Sequence, residues 1–505
     1  MANMNLNGWD VVALVTIPFV NAAIQNQGGS PPSMQVSTDS LAVQAAFGTW
    51  QITTGGSDNI LMFNIPLTSI SGTATKNGQI VTQFNYQSLA AQVQLVLTFV
   101  DGSSTGQNLV VDSKNPPTSV ASLMDVNGQP LSNALHDAFI KQALSTWLGD
   151  NLSQFNHIFA SVDSDPSTAS DAQWAFCKPS VVAYTYVSGS SVANSYLGLT
   201  YNTAGNTTPG SAAQIDPSFI PAECQAAFML SPAMFLTNFL APAASDQFAI
   251  PMQSLNIDTS QLSITMAAGV RIPMQQDTVN VPGDSGSDTD SFESGFNNAA
   301  NDTVGVLKWI FGLDSSASEP PDASDAVIPR VPFLIDLQIS VQSSIVTTFA
   351  KTSTVVADTV LGDVTAFNTS QSWLTLSFDA SNQSLTYTET QPSNNNHSIV
   401  ESEGMSVAQD VFEAIGAATV TIGAALTDGA DLLMVGALAG VAQGGLQWAQ
   451  SSFDSANQND APEITSLVSN LTLPVNWSSA GPFSVTQAGL YQGGFFLAGT
   501  LRPTS

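Results

Sequence analysis

The chain has 505 residues, of which only 10% are charged, and its 39 acids against 9 Lys and Arg give a formal net charge of −30. So few cations cannot neutralise a run of phosphates, which argues against nucleic acid as a partner, and no polybasic patch is available to attract anionic lipid. With 43% apolar residues the composition is not that of a disordered chain, and the length allows one large core or two of roughly 200–250 residues each.

The N-terminus has no basic stretch ahead of its apolar run, so it does not read as a Sec signal. The expectation is a protein that is cytoplasmic at first and is then secreted or released by a non-Sec route. The run from Val11 to Ile24 is too short to span a bilayer and is predicted as an amphipathic helix. Asn7 is its candidate N-cap, with Asp10 three residues on. Val12, Val15, Phe19 and Ala23 fall near one face, and Gly28-Gly29 with Pro31-Pro32 end it.

Strict alternation follows. Leu61, Phe63, Ile65 and Leu67 share one side of a strand, and Val93, Leu95, Leu97 and Phe99 share one side of another. Period two with one apolar face predicts antiparallel sheet wet on the other side. Between Gly102 and Gly106 the sequence Gly-Ser-Ser-Thr-Gly fits G-x-S-x-G. That pattern makes Ser104 a hydrolase nucleophile only where a buried strand turns into a helix. Gln107–Asp112 reads instead as a hairpin partner of the preceding strand, so the stretch is taken as a turn.

From Leu131 to Leu148 a helix is predicted, carrying Leu135, Phe139, Ala143 and Trp147 and stopping at Gly149. His136 lies on it, His157 lies in an apolar run, and His397 lies in a polar turn. No metal-ligand spacing links the three, and no metal or cofactor is expected. Cys177 and Cys224 are too few for a disulfide framework, and the spacing leaves open whether they pair.

An Asp-, Ser- and Gly-rich loop from Pro282 to Asp302 and another from Asp314 to Asp325 mark an insertion or a boundary. Asp284, Asp288, Asp290 and Glu293 lack the spacing of an EF-hand. A further strand carries Phe333, Ile335, Leu337, Ile339 and Val341 on one face, and Leu374, Leu376 and Phe378 repeat the pattern. Residues 406–451 read as a helical hairpin broken near Asp428-Gly429. Its Gly436, Gly440 and Gly444 would let helices approach closely in a membrane or inside a tight sheet. The chain is divided at residues 1–255 and 256–505, with a single unit as the alternative.

Several stretches together resemble one family, the forty-seven-kilodalton and OrfX proteins encoded beside botulinum neurotoxins. They are Gly8-Trp9-Asp10 with Asn21, Asn151 to Val162, Lys178-Pro179-Ser180 with Ala183-Tyr184, and Ile220 to Ser231 continuing to Phe235-Leu236 and Leu240-Ala241-Pro242. The stretch from Gly489-Leu490-Tyr491 to Leu501 is similar in character. Trp9, Asp10, Cys224 and Phe228 stand at positions of this pattern, as structural residues.

The resemblance implies an α+β TULIP-like architecture, in which highly curved antiparallel sheets wrap long helices in an elongated body. It also implies a non-enzymatic, insecticidal or toxin-associated role through lipid or toxin-complex protein partners, with membrane contact but no integral span. In such a fold Phe333, Ile335, Leu337 and Ile339, together with Val12, Val15 and Phe19, would be the lipid contacts. No catalytic residue carries over. Two alternatives stay open: a pore-forming toxin inserting residues 406–451, and a secreted serine hydrolase using Ser104.

Overall fold

The computed structural model describes residues 5–102, 106–117, 119–164, 176, 178–203, 205–211, 215–273, 277–281, 326–330, 333–359, 362–379, 381, 384–401 and 474–503. By backbone contacts the chain forms two units, one of residues 4–231, 378–384 and 463–505, the other of residues 1–3, 232–377 and 385–462. The first unit's N-terminal stretch ends at Ser231 and the second resumes at Pro232. The C-terminus returns to the N-terminal unit because Gly494–Pro503 pairs with Ala226–Leu230, Phe228 lying opposite Leu497.

The N-terminal unit holds a sheet in the order Pro179–Val187, Tyr196–Thr203, Val11–Thr16, Ala226–Leu230, Gly494–Pro503, Ala480–Tyr491. Its third strand corrects the predicted first helix. Val11–Thr16 runs antiparallel to Tyr196–Thr203 on one side and Ala226–Leu230 on the other, and Val12, Leu14 and Val15 are wholly buried. β-branched side chains favour this pleat. A central strand covered on both faces shows no polar alternation, so its apolar run is easily mistaken for a helix face. The helix starts only at Ile17, where Pro18 fits the first turn instead of breaking it. It ends at Gln27, where Gly28 takes the left-handed conformation at φ 63°.

A second sheet of this unit runs Ser33–Ser37, Leu41–Phe47, Ile60–Lys76, Gln79–Asp101, Gly106–Val111, Ala160–Asp163, Val475–Trp477. Leu61, Phe63, Ile65 and Leu67 are all fully buried along one face, as their alternation requires. Asn77 and Gly78 turn the long hairpin with φ 53° and 76°, the signature of a tight primed turn. Gly106–Val111 pairs back on Gln79–Asp101, Leu97 opposite Val111. The G-x-S-x-G stretch therefore joins two strands, and Ser104 itself lies outside the described residues.

The predicted Leu131–Leu148 helix occupies Ala134–Asn151, with the Asn133 side chain accepting from the Leu135 and His136 amides. It continues past Gly149. Its buried stripe is Ile140, Ala143, Leu144, Trp147 and Leu148, while Leu135 is exposed and Phe139 half-buried. A strict four-residue series drifts by about 40° per step on a helix with 3.6 residues per turn, so its early members leave the packed face.

In the second unit the order is Leu255–Asp258, Ser263–Met266, Phe333–Gln342, Ile345–Thr359, Gly362–Asp379, Ser384–Glu401. Leu337, Ile339 and Val341 are buried as predicted, whereas Phe333 and Ile335 are half-buried and Leu334 is fully buried. The pairing slips between Leu334 and Asp336, which face Thr352 and Lys351, and a bulge of this kind exchanges the two faces of a strand. Ahead of this sheet, the helical turns Pro232–Phe235 and Ala241–Gln247 flank a π-helical turn at Leu236–Leu240, which the sequence pattern did not reveal.

Antiparallel sheet is the dominant architecture of the described residues. The helix Ala134–Asn151 has 18 residues, and among the described residues no helix is long and apolar enough to cross a membrane. The predicted hairpin at 406–451 and the loops at 282–302 and 314–325 lie outside the described residues.

Candidate functional site

The Trp9-Asp10 pair is a junction of backbone segments. Trp9 is buried, and its Nε1 donates to the Ser211 carbonyl at 2.9 Å. A Cβ on Gly210 would stand 2.7 Å from that indole, so only glycine lets the loop approach so closely. The Asp10 carboxylate accepts from the Thr203 amide at 2.9 Å, and the Asp10 amide donates to Asn202 Oδ1 at 2.9 Å. The Asp10 carbonyl accepts from the Ser231 amide at 2.8 Å. Of the three, the carboxylate bond is charge-assisted and so among the stronger kind.

Cys224 belongs to the same apolar cluster as Trp9, Val12 and Leu14. Its thiol is free and lies 3.3 Å from Thr486 Oγ1, with burial pushing it above the ordinary thiol range. Cys177 lies outside the described residues.

Beside this cluster is a cleft of about 430 Å³, whose lining includes Phe228, Asn476, Trp477, Pro482, Phe483 and Leu501. No Asp, Glu, Lys, Arg or His is among its lining residues. Its size falls within the roughly 300–1,000 Å³ of small-molecule sites, which are typically apolar with a few polar groups. Its lip has a definable origin. Pairing between the last two strands slips between Ala480 and Phe483, leaving Gly481 and Pro482 in a bulge. Pro482 has no N–H to offer a ladder, and a Cβ on Gly481 would meet the Arg502 carbonyl at 2.9 Å. Bulges of this type are over-represented next to functional sites.

The seven expected lipid contacts do not meet at this cleft. Val12, Val15 and Phe19 are buried in the N-terminal unit, and Leu337 and Ile339 are buried in the other. Phe333, half-buried, lies under the Arg271 guanidinium at 4.7 Å. None of the seven lines the cleft, whereas Ala13 and Leu14, between Val12 and Val15, do. Phe228 is the family-pattern residue that reaches it. Sequence reasoning missed Trp477, Pro482 and Phe483. The Gly481-Pro482 dipeptide, followed by Phe483 and preceded four residues earlier by Trp477, was the available signal.

Two histidines differ sharply. His136 is half-buried, with Nδ1 2.6 Å from the Tyr86 hydroxyl and Nε2 3.0 Å from Thr82 Oγ1. His157 is 1% exposed, and neither ring nitrogen has a hydrogen-bond partner. Its ring stands edge-on to Phe159 at 4.7 Å and tilted to Phe155 at 6.2 Å. Burial lowers its pKa to about 4. Among the described residues no group of His, Cys, Asp or Glu could hold a metal ion.

Fold and site together define a class: an antiparallel-sheet protein with an uncharged aromatic cleft. The comparisons narrow it. The family model described as OrfX-like, covering OrfX2, OrfX3 and P47, matches residues 6–291; the chain belongs to that OrfX-like family. OrfX3 of Paraclostridium bifermentans is 26% identical over 287 residues, which are 52% of this chain and 57% of that protein. OrfX3 of Clostridium botulinum (strain Kyoto / Type A2) is 25% identical over 319 residues, 56% of this chain and 64% of that one. The match thus spans less than two thirds of the length of either curated relative. In fold, the chain is similar to P47 from Clostridium botulinum A2, with a TM-score of 0.65 at 14% identity over 99% of this chain and 98% of that one. P47 of Clostridium botulinum E1 gives a TM-score of 0.64 at 16% identity over 99% and 100% of the two chains.

Proposed function

We propose that this chain is a non-enzymatic protein of the TULIP type, associated with an insecticidal or botulinum-like toxin system. It acts by binding lipid or a partner protein and is released by a non-Sec route. The observation that carries the reading is the uncharged cleft of about 430 Å³ lined by Phe228, Trp477 and Phe483 in a member of the OrfX-like family. An acyl chain entering it would replace water against these rings, each buried methylene contributing ~0.8 kcal/mol. The charge-free lining favours the apolar part of a lipid over its headgroup, so membrane contact needs no integral span.

Native mass spectrometry after gentle purification tests the reading. A bound lipid is expected in the unmodified chain, and Phe483→Asp at the half-buried lip should reduce its occupancy several-fold. A lipid-free chain that also gains none from phosphatidylcholine vesicles would remove the lipid half of the proposal. Labelling by a fluorophosphonate is expected to be absent, and Ser104-dependent labelling would overturn the non-enzymatic half.

A further inference from the structure

One wall of the cleft depends on the segment that carries the unpartnered histidine. The wall strand Val475–Trp477 pairs with Ala160–Asp163, Trp477 opposite Ala160 and Val475 opposite Val162. Beyond it, the Ser478 amide donates to the Phe159 carbonyl at 3.0 Å, and the Phe159 amide donates to the Leu109 carbonyl at 2.9 Å. The Gln27 side chain, at the end of the first helix, donates to Ser478 Oγ.

His157 sits where these pieces converge. It lies two residues before Phe159, and its ring forms a three-ring cluster with those of Phe155 and Phe159. A Cβ on Gly29 would lie 3.2 Å from its own Cβ, so the chain just past the helix is packed tightly on it. Phe155 is stacked in turn on Trp50 at 4.8 Å and set edge-on to Phe63 at 5.8 Å. These neighbours are apolar or glycine, and burial is the influence that acts on the protonation of the ring.

We infer that His157 is an acid-sensitive latch on the cleft: a proton on its ring expels it from the aromatic cluster, loosens Phe159–Asp163 from Val475–Trp477, and opens the wall. The inference rests on the reading of the cleft as a binding site only for its biological meaning; the opening itself stands apart from any ligand. A cationic ring with no partner is costly inside an apolar cluster. In the closed wall the ring holds its proton only below about pH 4, whereas a released imidazole does so below about 6.5. Between those values the open form binds a proton that the closed form does not. Opening is therefore favoured progressively as pH falls from about 6.5 to 4, by on the order of a hundredfold in all, and levels off below.

Hydrogen exchange on the full chain, corrected for the intrinsic pH dependence of exchange, reads this directly. Protection of residues 159–163 and 475–479 is expected to fall at least tenfold from pH 7 to pH 4.5 in the unmodified protein and less than twofold in His157→Phe. Equal losses in both proteins, or no loss in either, would overturn the latch. Should His157→Phe not fold, the imidazole signals of the intact chain decide. An His157 ring that stays neutral at pH 5.5 supports the latch, and one already half-protonated there sinks it. Binding of 1-anilinonaphthalene-8-sulfonate, measured alongside, separates the two readings. Exchange that responds to pH without dye uptake at any pH leaves the latch standing and counts against the cleft as a ligand site.

Discussion

The surroundings of His136 and His157 teach how one side chain type serves two opposite ends in one unit. His136 sits in the first turn of a helix, half-buried, with a hydroxyl at each nitrogen. The ring ties the helix to the strand Gln79–Asp101 and keeps contact with water. His157 is in an irregular segment, buried against Phe155, Phe159 and Gly29, with both nitrogens unpartnered. A buried polar group without a partner costs free energy that a hydrogen-bonded one does not. The first site is thus an ordinary tie, and the second holds a cost that changes with pH.

The largest effect that would sharpen this contrast lies in the packing around His157. Trp50 is wholly buried and stacked on Phe155, so Trp50→Ala is expected to lower unfolding free energy by about 3–5 kcal/mol. Its Nε1 has no partner, so Trp50→Phe should cost far less. Urea titration followed by tryptophan fluorescence distinguishes them, and equal losses would mean that the cluster is not close-packed.

The next effect is the pH dependence. With a folded value near 4 against about 6.5 when unfolded, His157 binds its proton more readily in the unfolded chain. Its contribution is therefore intact above pH 6.5 and lost as pH falls towards 4, by about 3 kcal/mol. His157→Leu should flatten that part of the stability profile. A profile unchanged by the substitution would break the comparison from its more important side.

Smaller effects are expected at the His136 end. Asn133→Ala removes the side-chain cap of the helix and should cost about 1 kcal/mol, seen as a lower midpoint in thermal unfolding. Tyr86→Phe deletes one hydroxyl contact to a half-buried ring and should cost below about 1 kcal/mol. A loss of 3 kcal/mol or more there would show that His136 is as tightly constrained as His157.

Much of the sheet was legible because its strands are covered on one side only. Leu61, Phe63, Ile65 and Leu67 announce their face through a period of two, and all four are buried where that period puts them, although Met62 between the first two is buried as well. Val11–Thr16 was not legible, because both its neighbours and both its faces are protein. A run of apolar residues then carries no period. The slip at Leu334 was invisible for a related reason: alternation is counted along one strand, and the bulge is decided by the partner strand.

The cleft was less legible still. Its lining joins strands distant in the sequence, from Ala13 through Phe228 to Leu501, and spacing along a chain cannot report on residues brought together only by pairing. Family membership was readable from Gly8-Trp9-Asp10 and Ile220–Ser231, since short local patterns survive without knowledge of the fold. The junction those residues form became visible only with the hydrogen bonds from Trp9 to Ser211 and from Thr203 to Asp10.

By itself, then, the sequence determined the charge balance that argues against phosphate partners, the one-sided strands, the helix carrying Ala143 and Trp147, and the family. Each of these depends on composition or on residues within a few positions of one another. Tertiary structure alone decided that the C-terminal strands close the N-terminal sheet, that the wall strand bounds a cleft, and that one histidine is tied while another is sealed from water. Those outcomes depend on which distant segments share a boundary, because desolvation and pairing belong to a place in the fold and not to a residue type.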